Sequence, residues 1–498
     1  MIKSIKFPSA QTLLMIIAAV VAISTWFIPA GNYNTLYFNE AENSFVRNSK
    51  GNLSILPPTQ ETLDNLNIKL PLDNFLSGAI YKPISIPGTF SYVESDPQGF
   101  FEFIQAPVKG IIEAADIIFL VLIIGGLIGV INITGAFESG ILWLTRVLKG
   151  KEYLLIIFTT FIMALGGTTF GLGEETLAFF PILIPVFIAA KYDALVGVAC
   201  IFLGAQVGVM CSTTNPFAVI IASDAAGVNW TNGLMLRMLV FLICVITTIS
   251  FILYYAGKLK KSPKNSLIYD QRHKMENLFG TAAVGSIPRL NLNLRLILFV
   301  FTLSFIVMIY GVSQLDWWFI EMSSVFLCAA LIIGLLSKMN ELKFVNAFSR
   351  GAGELLGVAF IIGIARGISI LMADGLISDT LLYHASTITT GMQKGVFVNS
   401  LFVIYNGLTF FIPSTSGMAV LTMPIMSPLA DTVNIGREII VNTYLYGHGL
   451  FSIINPTGLV LASLGIVKIG YDRWLKFIWP LLVIFAVILI LTLTISVY

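Results

Sequence analysis

Long apolar runs separated by short polar stretches dominate this chain. Apolar segments of about 20 residues recur along its length, which is what one helix needs to cross the hydrocarbon core of a bilayer. The pattern predicts about nine full spans, near residues 9–29, 111–133, 193–222, 233–256, 295–312, 319–337, 353–373, 436–465 and 477–496. Two further apolar regions, 152–191 and 394–430, are interrupted by polar tips rich in glycine, serine and threonine. The first tip reads Gly166 to Glu175 and the second Phe411 to Gly417. Residues 30–109 are polar, rich in Asn and Pro, and lack helical periodicity, so they read as an external loop or small cap. An amphipathic piece follows at about 135–149.

Composition agrees with the spans. Of 498 residues, 56% are hydrophobic and 11% charged, against roughly 25% charged in a soluble domain. A net charge of +2 implies no nucleic-acid partner. The four cysteines, Cys200, Cys211, Cys244 and Cys328, lie in apolar runs without a CxxC spacing, so neither a disulfide framework nor a metal centre is expected. No HExxH, Gly-x-Ser-x-Gly or Cys/His pairing suggests an enzyme. The run from Gln11 to Ile28 is long for a secretory signal core and has no clean A-x-A site after it, so a retained first span is expected.

Charge orients the spans, because Lys and Arg concentrate in cytoplasmic loops. Lys149 and Lys151 precede region 152–191 and Lys191 follows it. Both its ends therefore lie on one side, which makes it a re-entrant hairpin. The most basic loop, Lys258 to Arg295, marks the cytoplasmic face and lies around a linker at 257–294. The resulting topology places the N-terminus in the cytoplasm and the C-terminus outside the inner membrane.

The halves match at an offset near 240. Asn215-Pro216 faces Asn455-Pro456, Ala222-Ser223 faces Ala462-Ser463, and Pro181 and Pro185 face Pro424 and Pro428. The expected fold is an all-α polytopic membrane protein of two inverted repeats, 1–256 and 319–498. Each repeat carries a re-entrant hairpin and a discontinuous helix, and an extra span at 295–318 makes the inversion possible. Such repeats are a structural signature of secondary transporters, whose sites sit at the interruptions.

The candidate chemistry lies at these interruptions. The first break reads Ser212-Thr213-Thr214-Asn215-Pro216, the second Ser452-Ile453-Ile454-Asn455-Pro456-Thr457. Proline removes an amide donor and frees upstream carbonyls, and such a break must face protein, water or ligand. Carbonyl and hydroxyl oxygens suit a hard cation, so sodium near Asn215 is one expectation; a proline kink stabilised by neighbours is the plainer one. The first hairpin tip adds Thr168, Thr169, Gly173, Glu174 and Glu175, the second Ser414, Thr415 and Ser416. Adjacent carboxylates at membrane depth are costly and point to function. They can bind a cation, take a coupling proton or face an ammonium group, or one of them can cap the return arm. Arg366, in mid-span, either binds a substrate carboxylate, pairs with Glu174 or Glu175, or snorkels. His448 fits a packing role better than proton transfer, and His273 lies in a charged loop.

The blocks PSAQTLL, TWFIPAGNY, APVKGIIEAADIIF, GLGEET, FFPILIP and GIARGISILMADGLISDTLL resemble the YfcC-like branch of the C4-dicarboxylate anaerobic carrier (DcuC-type) family, within the ion transporter superfamily. The resemblance covers nearly the whole chain. It implies two opposed hairpins, frequently a homodimer, and transport of small carboxylate-bearing solutes, either C4-dicarboxylates or amino acids. The branch includes arginine/ornithine-type antiporters. Partners are thus a small-molecule solute and membrane lipid, with Na+ or H+ as coupling ion and no other cofactor. A passive channel is the reading from another class.

Overall fold

The computed structural model describes residues 8–49, 52–66, 68, 70–76, 80, 83–147, 149–272, 275, 291–315, 317–389 and 391–498. His273 lies outside them. The chain is mainly helical. Helix α1 (Ala10–Ser24) leads into strands β1 (Gly31–Asn32), β2 (Thr35–Asn39), β3 (Ser44–Ser49) and β4 (Asn52–Leu56). Two short helices follow, α2 (Gln60–Asn65) and α3 (Asp73–Leu76), then β5 (Ile84–Ser85) and β6 (Ser91–Tyr92). The four-stranded sheet runs β4-β3-β2-β5, and β1 pairs with β6. This segment amends the all-α expectation. It turns at Asn43, with φ of 44°, and folds over Leu36, Phe45 and Phe75, all buried.

Helix α4 (Phe100–Glu113) begins nine residues before the expected end of the external segment at Lys109. Its start is set by Glu102, whose Oε2 accepts from the Gly99 amide at 2.9 Å. Then come α5 (Ala115–Asn132), α6 (Ala136–Val147), α7 (Tyr153–Phe170) and α8 (Phe180–Ala189). The interrupted segment is α9 (Ala194–Met210) and α10 (Pro216–Ala226). It is followed by α11 (Leu234–Lys261), α12 (Leu292–Gln314), α13 (Phe319–Leu336), α14 (Glu341–Glu354) and α15 (Leu356–Asp374). The remainder is α16 (Ser378–Ile388), α17 (Lys394–Phe411), α18 (Thr415–Thr432), α19 (Arg437–Ser452), α20 (Val460–Val467) and α21 (Tyr471–Ser496).

Among the described residues, six helices are long and apolar enough to cross a membrane: α5, α11, α12, α13, α15 and α21. They coincide with six of the nine expected spans. The other three expected spans fall on the shorter α1 and on the two interrupted segments, α9/α10 and α19/α20.

Most helix contacts fall within two groups. In the first, α4 lies on α15, α5 on α14 and α13, and α1 on α15. In the second, α7 packs on α9 and α11, α17 on α19, and α18 on α10 and α19, with α21 closing against α17 and α19. Small residues allow the tightest crossings of the first group. A Cβ on Gly110 would strike the backbone of Gly363 and Gly367, and one on Gly351 would strike that of Gly125 and Gly129. These two crossings are about 240 positions apart and use the same residue type at each contact.

The β segment rests on α16. The Gly31 amide donates to the Leu376 carbonyl at 3.0 Å and the Tyr33 amide to Asp379 Oδ2 at 2.9 Å. Phe90 stacks on Tyr383 with ring centroids 4.1 Å apart.

Candidate functional site

Both breaks form where a proline follows an asparagine. Pro216 cannot donate a helical hydrogen bond, so α9 ends at Met210 and α10 starts afresh. Asn215 caps the new helix: its Oδ1 accepts from the Phe217 amide at 2.9 Å and the Ala218 amide at 3.2 Å. Its Nδ2 reaches the Gly167 carbonyl at 3.4 Å and Ser212 Oγ at 3.1 Å. The Asn215 amide thus ties the break to the end of hairpin arm α7. Thr168 completes the junction. Its carbonyl accepts from the Thr213 and Thr214 amides at 2.9 and 3.2 Å, and its hydroxyl donates to the Cys211 carbonyl at 2.8 Å.

The second break repeats the device. Asn455 Nδ2 donates to the Thr409 carbonyl at 2.7 Å, at the end of arm α17. Asn455 Oδ1 accepts from the Thr457 amide at 3.1 Å and its hydroxyl at 2.8 Å. The Thr457 hydroxyl is also placed 2.8 Å from the Phe410 carbonyl. The end of α19 before the Asn-Pro pair is held by Trp474, whose Nε1 donates to the Ile453 carbonyl at 3.0 Å.

The hairpin tips follow from local sequence. Gly171 ends α7 in the left-handed region at φ 78°, which glycine adopts without strain. A Cβ there would lie 2.7 Å from Asn215 Oδ1. The chain then turns so that Glu174 and Glu175 open a short 3₁₀ segment. Glu175 Oε2 accepts from the Gly173 amide at 2.9 Å.

Between the two helix groups lies a cavity of about 740 Å³. The second group lines it with Gly171, Gly173, Glu174, Glu175, Asn215, Phe217, Ser414, Thr415, Ser416, His448 and Thr457. The first group lines it with Glu113, Asp116, Trp317, Trp318, Phe319, Arg366 and Ser369. Nine of the residues expected from sequence therefore meet here: Gly173, Glu174, Glu175, Asn215, Arg366, Ser414, Thr415, Ser416 and Thr457. Six are not among its lining: Thr168, Thr169, Ser212, Thr213, Thr214 and Asn455. The hydrogen bonds above place five of those six in the joints between breaks and hairpin arms, and Thr169 joins them through its carbonyl, which accepts from the Thr214 hydroxyl at 3.2 Å.

Arg366 pairs with Glu113, with Nη2 to Oε1 at 2.5 Å. The expected pairing with Glu174 or Glu175 is not made, because the α4–α15 crossing at Gly110 and Gly363 brings Glu113 to the guanidinium first. Arg366 Nε and Ser369 Oγ, one turn apart on α15, are buried without a hydrogen-bond partner. Among the described residues no cation lies within ion-pair distance of Glu174 or Glu175. Four carboxylates, Glu113, Asp116, Glu174 and Glu175, thus share the cavity with one guanidinium. His448 joins them. Its Nδ1 lies 3.2 Å from Thr409 Oγ1 and its Nε2 3.3 Å from Thr415 Oγ1. The Thr409 hydroxyl donates to the Tyr405 carbonyl at 2.6 Å, so it accepts from Nδ1–H, leaving Nε2 to accept from Thr415.

Glu113, Asp116 and Ser369 were missed from sequence. The signal was present as two acids entering an apolar run in Gly-Ile-Ile-Glu-Ala-Ala-Asp. The described residues contain no cluster of three His, Cys, Asp or Glu side chains suited to a metal ion. Oxygens for a cation would come from the carboxylates and from hydroxyls and carbonyls at the breaks.

The C4-dicarboxylate anaerobic carrier family, DcuC, matches residues 7–498. An uncharacterised protein of Haemophilus influenzae is 42% identical over 486 residues, covering 96% of this chain and 95% of its own. The putative basic amino acid antiporter YfcC of Escherichia coli is 28% identical, covering 94% of this chain and 92% of its own. Among solved structures, the YdaH transporter of Alcanivorax borkumensis aligns at 12% identity and a TM-score of 0.38, over 98% of this chain and 97% of that one. MtrF of Neisseria gonorrhoeae aligns at 15% identity and a TM-score of 0.40, over 99% and 96%. With the family match running through both helix groups and the cavity between them, the chain belongs to the C4-dicarboxylate anaerobic carrier family: it is a multi-pass membrane transporter and not an enzyme.

Proposed function

We propose that the protein is a secondary active carrier for small carboxylate-bearing solutes, and that the favoured solutes also carry an amino group. The observation that carries this reading is the charge of the cavity. Its four carboxylates face one guanidinium that is already paired with Glu113. Two like charges about 4 Å apart repel by about 4 kcal/mol at an effective dielectric constant near 20. A dianion entering this cavity meets that repulsion unless cations or protons accompany it. An amino acid meets opposite charge at both ends: its ammonium group faces Glu174, Glu175 and Asp116, and its carboxylate faces Arg366 and Ser369. The printed name of YfcC, a putative basic amino acid antiporter, agrees with this choice. The second reading, a C4-dicarboxylate carried with cations or protons on the acidic tip, is favoured by the family's description.

The coupling species is Na+ or H+, or a counter-solute in antiport. The mechanism follows from inverted repeats, supported by the matched glycine crossings and the matched Asn-Pro joints. The second helix group moves against the first, carrying both breaks and both hairpin tips, and the cavity between them is exposed to each side in turn. The basic Lys258–Lys264 stretch is assigned to the cytoplasmic face, the β segment to the outside, the N-terminus to the cytoplasm and the C-terminus to the outside. A passive channel is disfavoured because both hairpin tips line the cavity.

The test is counterflow in proteoliposomes preloaded with arginine, ornithine, neutral amino acids or C4-dicarboxylates. Glu174→Gln together with Glu175→Gln is expected to abolish amino-acid exchange while leaving a folded, monodisperse protein. Unchanged exchange in that double variant would remove the acidic tip from the mechanism. Sustained single-channel conductance would refute a carrier.

A further inference from the structure

Arg237 sits in the first turn of α11, away from the solute cavity, and is fully buried. Its Nη1 donates to the Asn232 carbonyl and to Asn442 Oδ1, both at 3.0 Å. Its Nη2 donates to the Trp230 carbonyl. Among the described residues no carboxylate lies within ion-pair distance of it. A guanidinium removed from water and given neutral acceptors alone keeps an uncompensated charge, a cost of several kcal/mol in general.

Three polar atoms here lack partners: Arg237 Nε, Asn442 Nδ2 and the Tyr446 hydroxyl. Asn442 and Tyr446 are 1% and 0% exposed. They stand one turn apart on α19 and so share a face. Arg237 is hydrogen-bonded to Asn442, one turn from Tyr446 on α19. Each of the three unmatched groups can donate. Gly233, at φ 74°, packs its backbone against the guanidinium and the Asn442 amide. A Cβ there would lie 3.1 Å from Asn442 Nδ2 and 3.4 Å from Arg237 Nη1.

We propose that Arg237, Asn442 and Tyr446 form a buried site for one small inorganic anion, of which a halide such as chloride is the fitting ligand. A spherical anion accepts from several donors at once and neutralises the guanidinium, whereas a water molecule supplies acceptors but no charge. These residues line neither the solute cavity nor the smaller one in the β segment, so the site is distinct from both. The two carbonyls that Arg237 already engages belong to the loop before α11, and Asn442 belongs to α19, which also carries His448 and Ser452 of the solute cavity. The anion thereby fastens that loop to the helix leading into the second break. This inference stands apart from the identity of the solute.

The test uses the purified full-length protein in detergent, in sodium gluconate at constant ionic strength, with chloride or bromide titrated in. The unfolding temperature is expected to rise saturably with either halide, following RT ln(1 + [L]/Kd). Tyr446→Phe is expected to unfold as the wild type does in gluconate but to need about tenfold more halide for half the shift, since one hydrogen bond to a charged group is lost. Arg366→Gln is expected to keep the wild-type halide response, which separates this site from the solute cavity. Bromide-soaked crystals are expected to give an anomalous peak beside Arg237 Nε. Equal unfolding temperatures in gluconate and chloride, a wild-type titration for Tyr446→Phe, or no anomalous peak at Arg237 would each overturn the assignment.

Discussion

Replacing Asn215 tests whether the first break is a built joint. In Asn215→Ala, the Phe217 and Ala218 amides lose their cap, and the Gly167 carbonyl and Ser212 hydroxyl lose a donor. Loss of an N-cap costs about 0.5–2 kcal/mol. Stranding a buried carbonyl costs about 1–3 kcal/mol. Ser212 keeps its own bond to the Val209 carbonyl at 2.6 Å, so its share is small. The sum is about 1.5–5 kcal/mol. Asn215→Asp separates the two functions. It keeps the acceptor for the helix amides, and a negative charge there is favoured by the helix dipole. It removes the donor to Gly167 and sets a carboxylate oxygen against that carbonyl. Unfolding of each variant in mixed detergent, with hydrogen exchange at residues 166–176 and 217–218, measures both effects. Asp is expected to retain protection at Phe217 and Ala218 but to lose it around the Gly167–Gly173 tip. Ala is expected to lose both. If both variants match the wild type in stability and exchange, the asparagine carries no structural load and its amide is available for a cation.

Other outcomes follow from the same geometry. Arg366→Gln is expected to weaken binding of amino acids at least tenfold, a loss of about 1.4 kcal/mol, in a ligand-induced thermal shift. Glu113→Gln frees Arg366 from its pair and is expected to improve binding of dicarboxylates relative to amino acids in the same assay. Gly110→Val and Gly351→Val are each expected to destabilise the fold by more than about 3 kcal/mol, since backbone at Gly363 and Gly125 cannot yield, whereas Gly257→Val, with open space around it, is expected to be nearly neutral in thermal unfolding. Glu152, outside the spans, accepts from Lys260 at 2.8 Å and from the Gly150 amide at 2.9 Å, which pulls its carboxyl from the ordinary 4.5 down to about 2. Its contribution is therefore complete above the ordinary value and disappears as pH falls from there toward 2. Lys260→Met is expected to flatten the dependence of unfolding temperature on pH over that acid range.

Much of the architecture was legible because its determinants are local. A run of apolar residues as long as a bilayer is thick has few alternatives, and six such helices lie where the pattern placed them. The hairpin tips were legible too, since Gly171 must turn where a side chain would strain, and two prolines following asparagine mark both breaks. The β segment was not legible as strands. Its elements are short, and their pairing, such as Leu36 opposite Arg47, joins residues through turns that no periodicity marks. Glu113 was overlooked because its meaning depends on a helix crossing far away in sequence.

The sequence by itself determined that this is a membrane protein of the carrier family, with two polar interruptions and two Asn-Pro breaks, because span length, proline chemistry and charged-residue scarcity act within each segment. Only the tertiary structure decided which polar residues face the solute cavity and which hold the frame. Thr168, Ser212, Thr213 and Asn455 look like ligands in one dimension, yet their hydrogen-bonding capacity is turned to neighbouring backbone. Arg366 receives its partner from α4, and Arg237 is left with neutral acceptors and, among the described residues, no carboxylate. Those outcomes depend on how close one helix can approach another, set here by glycine at Gly110 and Gly351, and no local pattern encodes that distance.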